Sequence, residues 1–439
     1  MPANMVTLAA AAAFGPVACV QTLRIFRRHD RSSDLSARTH HGLYSANRTH
    51  GCNVEPPSMI MDSPVLQLLL IVAVAWVARH TLLRATPSPT AAGAIIMAIG
   101  IFGLASLPRI PAIPASTLQP FAIGLLVVWG FIGGSHLSSR LQGRMSAHTA
   151  SPTDSFAVGT WVAGTAVLAR VLLLGVPSWR FVALSLLALA FALWLWYLGL
   201  VFRGFRAILA STGRLRATGR VLLSTVSTQS LALLAWNLWP NTEFLRTPVA
   251  ALIVLGFLLY GLGFALIIQR YRRESRWTLS KDWDNTNCIL HGAMSITGLA
   301  IVYTGTLPPI VGIATWLYVL VALVLVEIVE VARMFERIRY QGLREGLLTY
   351  HVSQWSRNFT FGMFYAFTDA ATSILSAPPA LTQIQVIVDA VIASGAYIVL
   401  FFLLVQLALW GIASIKFGTT SALRRHHDTP APLSTQRSD

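Results

Sequence analysis

Apolar runs long enough to cross a bilayer alternate with short turns and arginine-rich connections along most of the chain. Residues 181–201 and 248–268 each run for 21 positions without a charge, and about 20 apolar residues span a hydrocarbon core. The runs fall in pairs: 91–108 with 120–136, 156–175 with 181–202, 220–238 with 247–269, 288–305 with 309–333, and 358–376 with 384–415. Each pair is divided by a reversal holding proline: Pro111 and Pro114, Pro177, Pro240, Pro308 with Pro309, and Pro378 with Pro379. Proline has no N–H to give and ends helices, so these positions suit turns. A small residue recurs near the start of the first run of each pair, at Gly93, Gly159, Ser224, Gly292 and Gly362, in steps of 66, 65, 68 and 70 residues. One unit repeated five times is the economical reading. The pattern predicts an all-α polytopic membrane protein with ten core transmembrane helices, arranged as five quasi-repeated hairpins around a central pore over residues 90–415.

Composition supports a bilayer environment. Hydrophobic residues make up 55% of the chain and charged residues 11%, against about 25% charged in soluble domains. The formal charge of +16 would suit nucleic acid, but its placement argues for topology instead. The segments joining one hairpin to the next hold Arg140 and Arg144; Arg203, Arg206, Arg214, Arg216 and Arg220; Arg270, Arg272, Arg273, Arg276 and Lys281; and Arg333, Arg337, Arg339, Arg344 and Arg357. The five tips hold only Arg109, Arg180 and Arg246. Basic residues are retained in cytoplasmic loops, so the linkers and the tail 416–439, with Arg424 and Arg425, are expected in the cytoplasm. The tips, with Thr306 and Ala380, are then expected outside. The setting is a multi-pass protein of the plasma (inner) membrane, with the lipid bilayer as its partner and no nucleic acid.

Upstream of the pairs the pattern is less regular. Residues 63–85, around PVLQLLLIVAVAWVAR, read as an extra transmembrane helix, and residues 1–62 as a poorly defined extension. If 64–84 crosses, the arginines between Arg27 and Arg48 face out, against the charge rule. The run 5–20 fits a signal-like segment, a short anchor, or sequence upstream of a start at Met59 or Met61. Cys19, Cys52 and Cys288 lie far apart with no CxxC spacing, which gives neither a disulfide framework nor a metal site.

Side by side, the repeat starts read AAGAIIMAIG, AVGTWVAGTA, LLSTVSTQSL, LHGAMSITGL and TFGMFYAFTD. Small or hydroxyl side chains return five or six residues on, at Ala98, Gly164 and Thr165, Ser230, Thr297 and Gly298, and Thr368. Such residues let helix backbones approach closely; the functional alternative is a narrow lumen lined by Gly93, Gly159, Thr165, Ser224, Gly292, Thr297 and Gly362. Ionisable residues inside spans mark functional candidates. Here they are His291, near the linker end of its helix, Arg170, deep in the second hairpin, and Asp369 beside the last tip. His291 also suits a neutral hydrogen-bonded imidazole, and Arg170 a side chain snorkelling to the interface. Glu327 and Glu330 suit structural helix-end charges. No HExxH motif or paired-Asp phosphate site lies in a span, KDWDNTN at 281–287 reads as a solvated linker, and no nucleophile–base pair assembles. No enzyme, cofactor or metal is expected.

The topology, the run GTWVAGTAVLA at 159–169 and FTFG at 359–362 resemble the tellurite-resistance/dicarboxylate transporter family, which includes TehA-type bacterial channels and the slow-type anion channels of plants. The resemblance covers about residues 90–415. It implies five hairpins whose first helices line a pore, a phenylalanine plug on the first helix of the last hairpin, and assembly as a homotrimer. Phe361 matches that plug, with Phe359 as the neighbouring alternative. Gly362 departs from the family, which often has proline there. The expected function is a channel or uniporter for small anions or organic acids. A proton-coupled carboxylate or oxyanion transporter using His291 and Asp369, and a non-transporting membrane scaffold, are the alternatives.

Overall fold

A computed structural model describes residues 88–211, 215–274, 278–378 and 382–427, with side chains as far as Ser414. The expectations for residues 1–62 and 63–85, for Arg214, Arg276 and Ala380, and for the chain end after 427 lie outside the described residues. Those described belong to one compact unit. They are all helical, with no strand among them.

Ten helices of nine residues or more follow one another among the described residues, and only these are numbered: α1 (Gly93–Ile101), α2 (Leu118–Leu141), α3 (Gly159–Gly175), α4 (Arg180–Ala210), α5 (Leu223–Leu238), α6 (Glu243–Arg273), α7 (Ile289–Thr304), α8 (Pro309–Leu347), α9 (Gln354–Ser376) and α10 (Thr382–His427). Among the described residues nine helical segments are long and apolar enough to cross a membrane, which marks the chain as an integral membrane protein. The helix outside that group is α9. It is 23 residues long but carries Gln354, Arg357, Asn358 and Asp369.

Burial sorts the spans into two classes. Those built on α1, α3, α5 and α7 are 72–89% buried within the protein, while those on α2, α4, α6, α8 and α10 are only 28–33% buried. The first class packs on protein and the second presents most of its surface outward. Contacts follow this division. In sequence, α1 packs on α3, α3 on α5, α5 on α7 and α7 on α9, and α9 packs back on α1. Each even-numbered helix lies against its own odd-numbered partner and the next one: α4 touches α3 and α5, α6 touches α5 and α7, and α8 touches α7 and α9.

The local sequence explains the element ends. Pro309 opens α8 at a position where no intrahelical N–H is needed. Gly305 closes α7 with φ 59°, the left-handed conformation that costs glycine little. Gly342 (φ 79°) breaks α8 near its end. Two features go beyond the hydropathy pattern. α6, α8 and α10 run past their apolar stretches, so Arg270, Arg272, Arg273, Arg333, Arg337 and Arg339 sit on helical extensions. α1 passes into a π-helical turn, Phe102–Ser106, before Pro108. Such turns widen a helix locally and place backbone carbonyls off the regular ladder.

Candidate functional site

The repeated small residues lie where one odd-numbered helix meets its neighbour. A methyl group added at Gly93 would come within 2.3 Å of the Thr160 carbonyl oxygen, at Gly159 within 3.0 Å of the Leu223 carbonyl oxygen, at Gly292 within 2.1 Å of Thr360 Cγ2, and at Gly362 within 2.6 Å of Ile101 Cγ2. These glycines therefore permit the close approach that joins α1 to α3, α3 to α5, α7 to α9 and α9 to α1. Ser224 is buried, and its hydroxyl donates to the Val221 carbonyl at 2.7 Å. Thr165 donates to the Trp161 carbonyl and accepts from Trp129 Nε1 at 3.0 Å, which turns it toward α2. Thr297 bonds the Ala293 carbonyl one turn back on its own helix.

Polar contacts between successive hairpins recur at nearly constant sequence separation. Arg170 meets Asn237 at a separation of 67, Arg216 meets Asp282 at 66, the Gly219 N–H meets Asn287 at 68, and Asn285 meets Ser353 at 68.

The two phenylalanines take different faces of α9. Successive helical residues turn by about 100°. Thr360 touches α7 through Gly292, and Gly362 touches α1 through Ile101. The wider arc between them holds Phe361, Phe364 and Tyr365, which contact the flanking helices. Phe361 stacks on Phe402 of α10 (5.2 Å between centroids, 12° between planes), Phe364 stacks on Trp316 of α8, and Tyr365 lies against Gly395 of α10. The narrower arc, of about 160°, faces the interior enclosed by the odd-numbered helices. It holds Phe359, Met363, Ala366 and Ala370. Phe359 is 2% exposed. Phe361, half-buried, is thus committed to the seam with α10, where its ring also lies 6.3 Å from His291 and under the Arg357 guanidinium. Its angular position on α9, set by the contacts of Thr360 and Gly362, is what turns it toward α10.

His291, on α7, lies on the other side of the Phe361 ring. It is fully buried, and neither ring nitrogen has a hydrogen-bond partner in the structure. Arg357 pairs with Glu327 and lies 3.8 Å from Glu330, which also receives Trp283 Nε1 at 2.7 Å and approaches Arg333 at 3.6 Å. This network ties α8 and α9 to the segment that precedes α7. A second set of ion pairs continues along that end: Arg220 with Asp154 and Asp284, and Arg216 with Glu274 and Asp282. The Thr278 backbone N–H holds the Asp282 carboxyl below the usual range, and Arg216 adds to the effect.

At the tip end, Asp369 pairs with Arg109 at 2.9 Å. Arg170 differs. Its Nε donates to Asn237 Oδ1 of α5 at 2.5 Å, and its guanidinium lies 5.8 Å from the ring centre of Tyr303 on α7. No carboxylate among the described residues lies within ion-pair distance of it. Its side chain thus links α3 to α5 and α7. Sequence reading singled out Arg170 but neither Asn237 nor Tyr303; Asn237 lies 67 residues on, one repeat step, and a comparison at that spacing would have drawn attention to it. Scanning against protein-family models and searching the curated proteins gives no match to this chain.

Proposed function

We propose that the chain is a channel or uniporter for small anions or organic acids, built from five quasi-repeated hairpins around a central pore and closed by Phe359. The supporting observation is the cyclic packing of α1, α3, α5, α7 and α9, with α9 returning to α1. Such an arrangement encloses an axis, and a transmembrane axis lined by the buried class of helices is where a solute would pass. In this reading α9 is the tenth crossing; its polar residues are tolerated because protein rather than lipid surrounds it.

Two features favour an anion. Arg170 supplies a positive charge near the tip end with no acidic partner, and the basic linkers raise anion concentration at the other mouth. On α5, Ser224, Ser227, Thr228 and Ser230 are buried with their hydroxyls donating to backbone carbonyls. Satisfied hydroxyls present weak dipoles, and shallow binding favours conduction over retention. The orientation follows the arginines: linkers and C-terminus in the cytoplasm, tips outside, in the plasma (inner) membrane. This reading differs from the one that the resemblance to the tellurite-resistance/dicarboxylate transporter family implies in its gate, which is Phe359, the alternative, in place of Phe361. The proton-coupled alternative has less support, since His291 is fully buried on α7 beside Phe361 of α9, with no carboxylate among the described residues paired to it.

The test is ion-replacement current from purified protein in liposomes. Current that persists without a proton gradient and reverses at the anion equilibrium potential is expected. Transport in fixed ratio with protons would replace the channel reading with the coupled carrier, and no flux of any anion would leave a scaffold.

A further inference from the structure

The outer surface of α2 carries Gly130-Phe131-Ile132-Gly133-Gly134, a GxxxG spacing of the type that lets membrane helices dock closely. A methyl group added at Gly130, Gly133 or Gly134 would meet nothing within 4 Å among the described residues. In contrast to the glycines of α1, α3, α7 and α9, these have no described partner. They edge a groove of about 870 Å³ between α2, α3 and α4, bordered by Trp129, Trp161 and Trp196. His136 also borders it, 6% exposed and stacked on Trp161 at 4.0 Å, with neither ring nitrogen hydrogen-bonded among the described residues. A helix-docking face and an unpartnered buried imidazole therefore meet in one place.

The described chain begins beside it. The Ser88 N–H donates to Ser135 Oγ at 2.9 Å, one residue from both Gly134 and His136. Only residues 85–87 separate Ser88 from the apolar stretch 64–84, a tether of roughly 10–14 Å when extended. We propose that residues 64–84 dock as a helix on the Gly130–Gly134 face of α2 and fill this groove. A short tether keeps the segment at millimolar effective concentration beside the groove, an advantage that neither a second copy nor a lipid shares. With linkers on one side of the membrane, 64–84 and α2 would run the same way, as parallel GxxxG pairs do. The end of the segment supplies Arg79, His80 and Thr81, donors and acceptors within its last two turns, close to where His136 lacks one. The inference rests on the membrane reading and is independent of what the pore carries.

Cysteine cross-linking in the full-length protein tests it. Cys19 and Cys52 are replaced by serine; Cys288 is fully buried and stays. Gly130→Cys, which displaces nothing, is combined with single cysteines scanned from Val72 to Ala78, and Leu137→Cys, at an exposed groove position, repeats the scan. Oxidation is expected to form disulfides within one chain, with loss of both free thiols at positions recurring every three or four residues. Disulfides formed only between chains would assign the groove to a second copy and overturn the proposal. So would absence of disulfides throughout, with membrane-permeant maleimide labelling Gly130→Cys as fast as a lipid-facing Leu195→Cys, which would leave the groove to lipid.

Discussion

Replacing Phe359 with alanine separates a gate from a packing residue. The ring is 2% exposed on the inward arc of α9, so truncation removes a fully enclosed side chain. Losses of about 3–5 kcal/mol are typical for Phe→Ala in a packed interior. The neighbouring change at Phe361 removes a half-buried ring whose main partner is Phe402 at 5.2 Å; an aromatic pair contributes about 0.5–1.5 kcal/mol beyond its area. Phe359→Ala is therefore expected to be the more destabilising of the two. It is also expected to be the only one that raises anion current, because its void opens on the axis. Phe359→Leu, which keeps much of the volume, should recover stability and most of the block. Single-channel or liposome flux measurements, together with thermal unfolding in detergent, read both quantities on the same preparations. Added current from Phe361→Ala and none from Phe359→Ala would refute the assignment of the inward arc. Destabilisation without current from both would remove phenylalanine from the gate altogether.

Three other outcomes can be checked. Cysteines at Arg339 and Thr306 are expected to label from the cytoplasmic and the external side respectively; an impermeant reagent reaching position 339 in intact cells would invert the topology. Arg170→Gln should raise the anion concentration for half-maximal current about tenfold, the equivalent of about 1.4 kcal/mol, whereas Arg170→Lys should keep most of it; equal currents in all three proteins would make Arg170 a purely structural residue. At the start of α9, His351 Nδ1 lies 2.6 Å from Ser353 Oγ and accepts the Ser353 N–H at 3.3 Å, which requires the neutral ring. Burial lowers its pKa and nearby Arg220, Arg337 and Arg333 add to this, against the pull of Asp284. A lowered folded-state pKa means stability is full above the unfolded value of about 6.5 and is lost as pH falls below it. Thermal unfolding at pH 7.5 and 5.5 should show this loss in the native protein and much less in His351→Asn, whose carbonyl oxygen accepts at any pH; identical slopes would dismiss the histidine.

What the sequence makes legible depends on which physical signal each feature leaves. Membrane character was readable because hydrophobic burial in lipid leaves long uncharged runs, as in α4 and α6. α9 fails that test: surrounded by protein, it carries Arg357, Asn358 and Asp369, and only the repeat in small residues revealed it. The same repeat located Gly93, Gly159, Gly292 and Gly362 but left their role open, because a glycine that admits a neighbouring backbone and one that lines a lumen look alike in one dimension. The distinction needs the atom across the gap, such as the Thr160 carbonyl oxygen opposite Gly93.

The choice between Phe359 and Phe361 has a different cause. Resemblance fixed attention on an aromatic next to the small residue, yet α9 is amphipathic between its own hairpin partner and the interior rather than between lipid and water. Both faces accept a phenylalanine, so hydropathy is silent and only angular position decides. That position follows from two contacts, Thr360 with Gly292 and Gly362 with Ile101, and once these are fixed the remaining side chains have no freedom to exchange arcs. Arg170 obeys the same logic at the tip end. Its charge was visible in the sequence, but its use depends on Asn237 and Tyr303, which come from two other hairpins. A cation held by an amide and an aromatic face keeps its charge uncompensated. A carboxylate partner such as Asp369 gives Arg109 would cancel it. This absence of cancellation among the described residues, where Arg170 meets both α5 and α7, is the structural reason for proposing that the solute is negative.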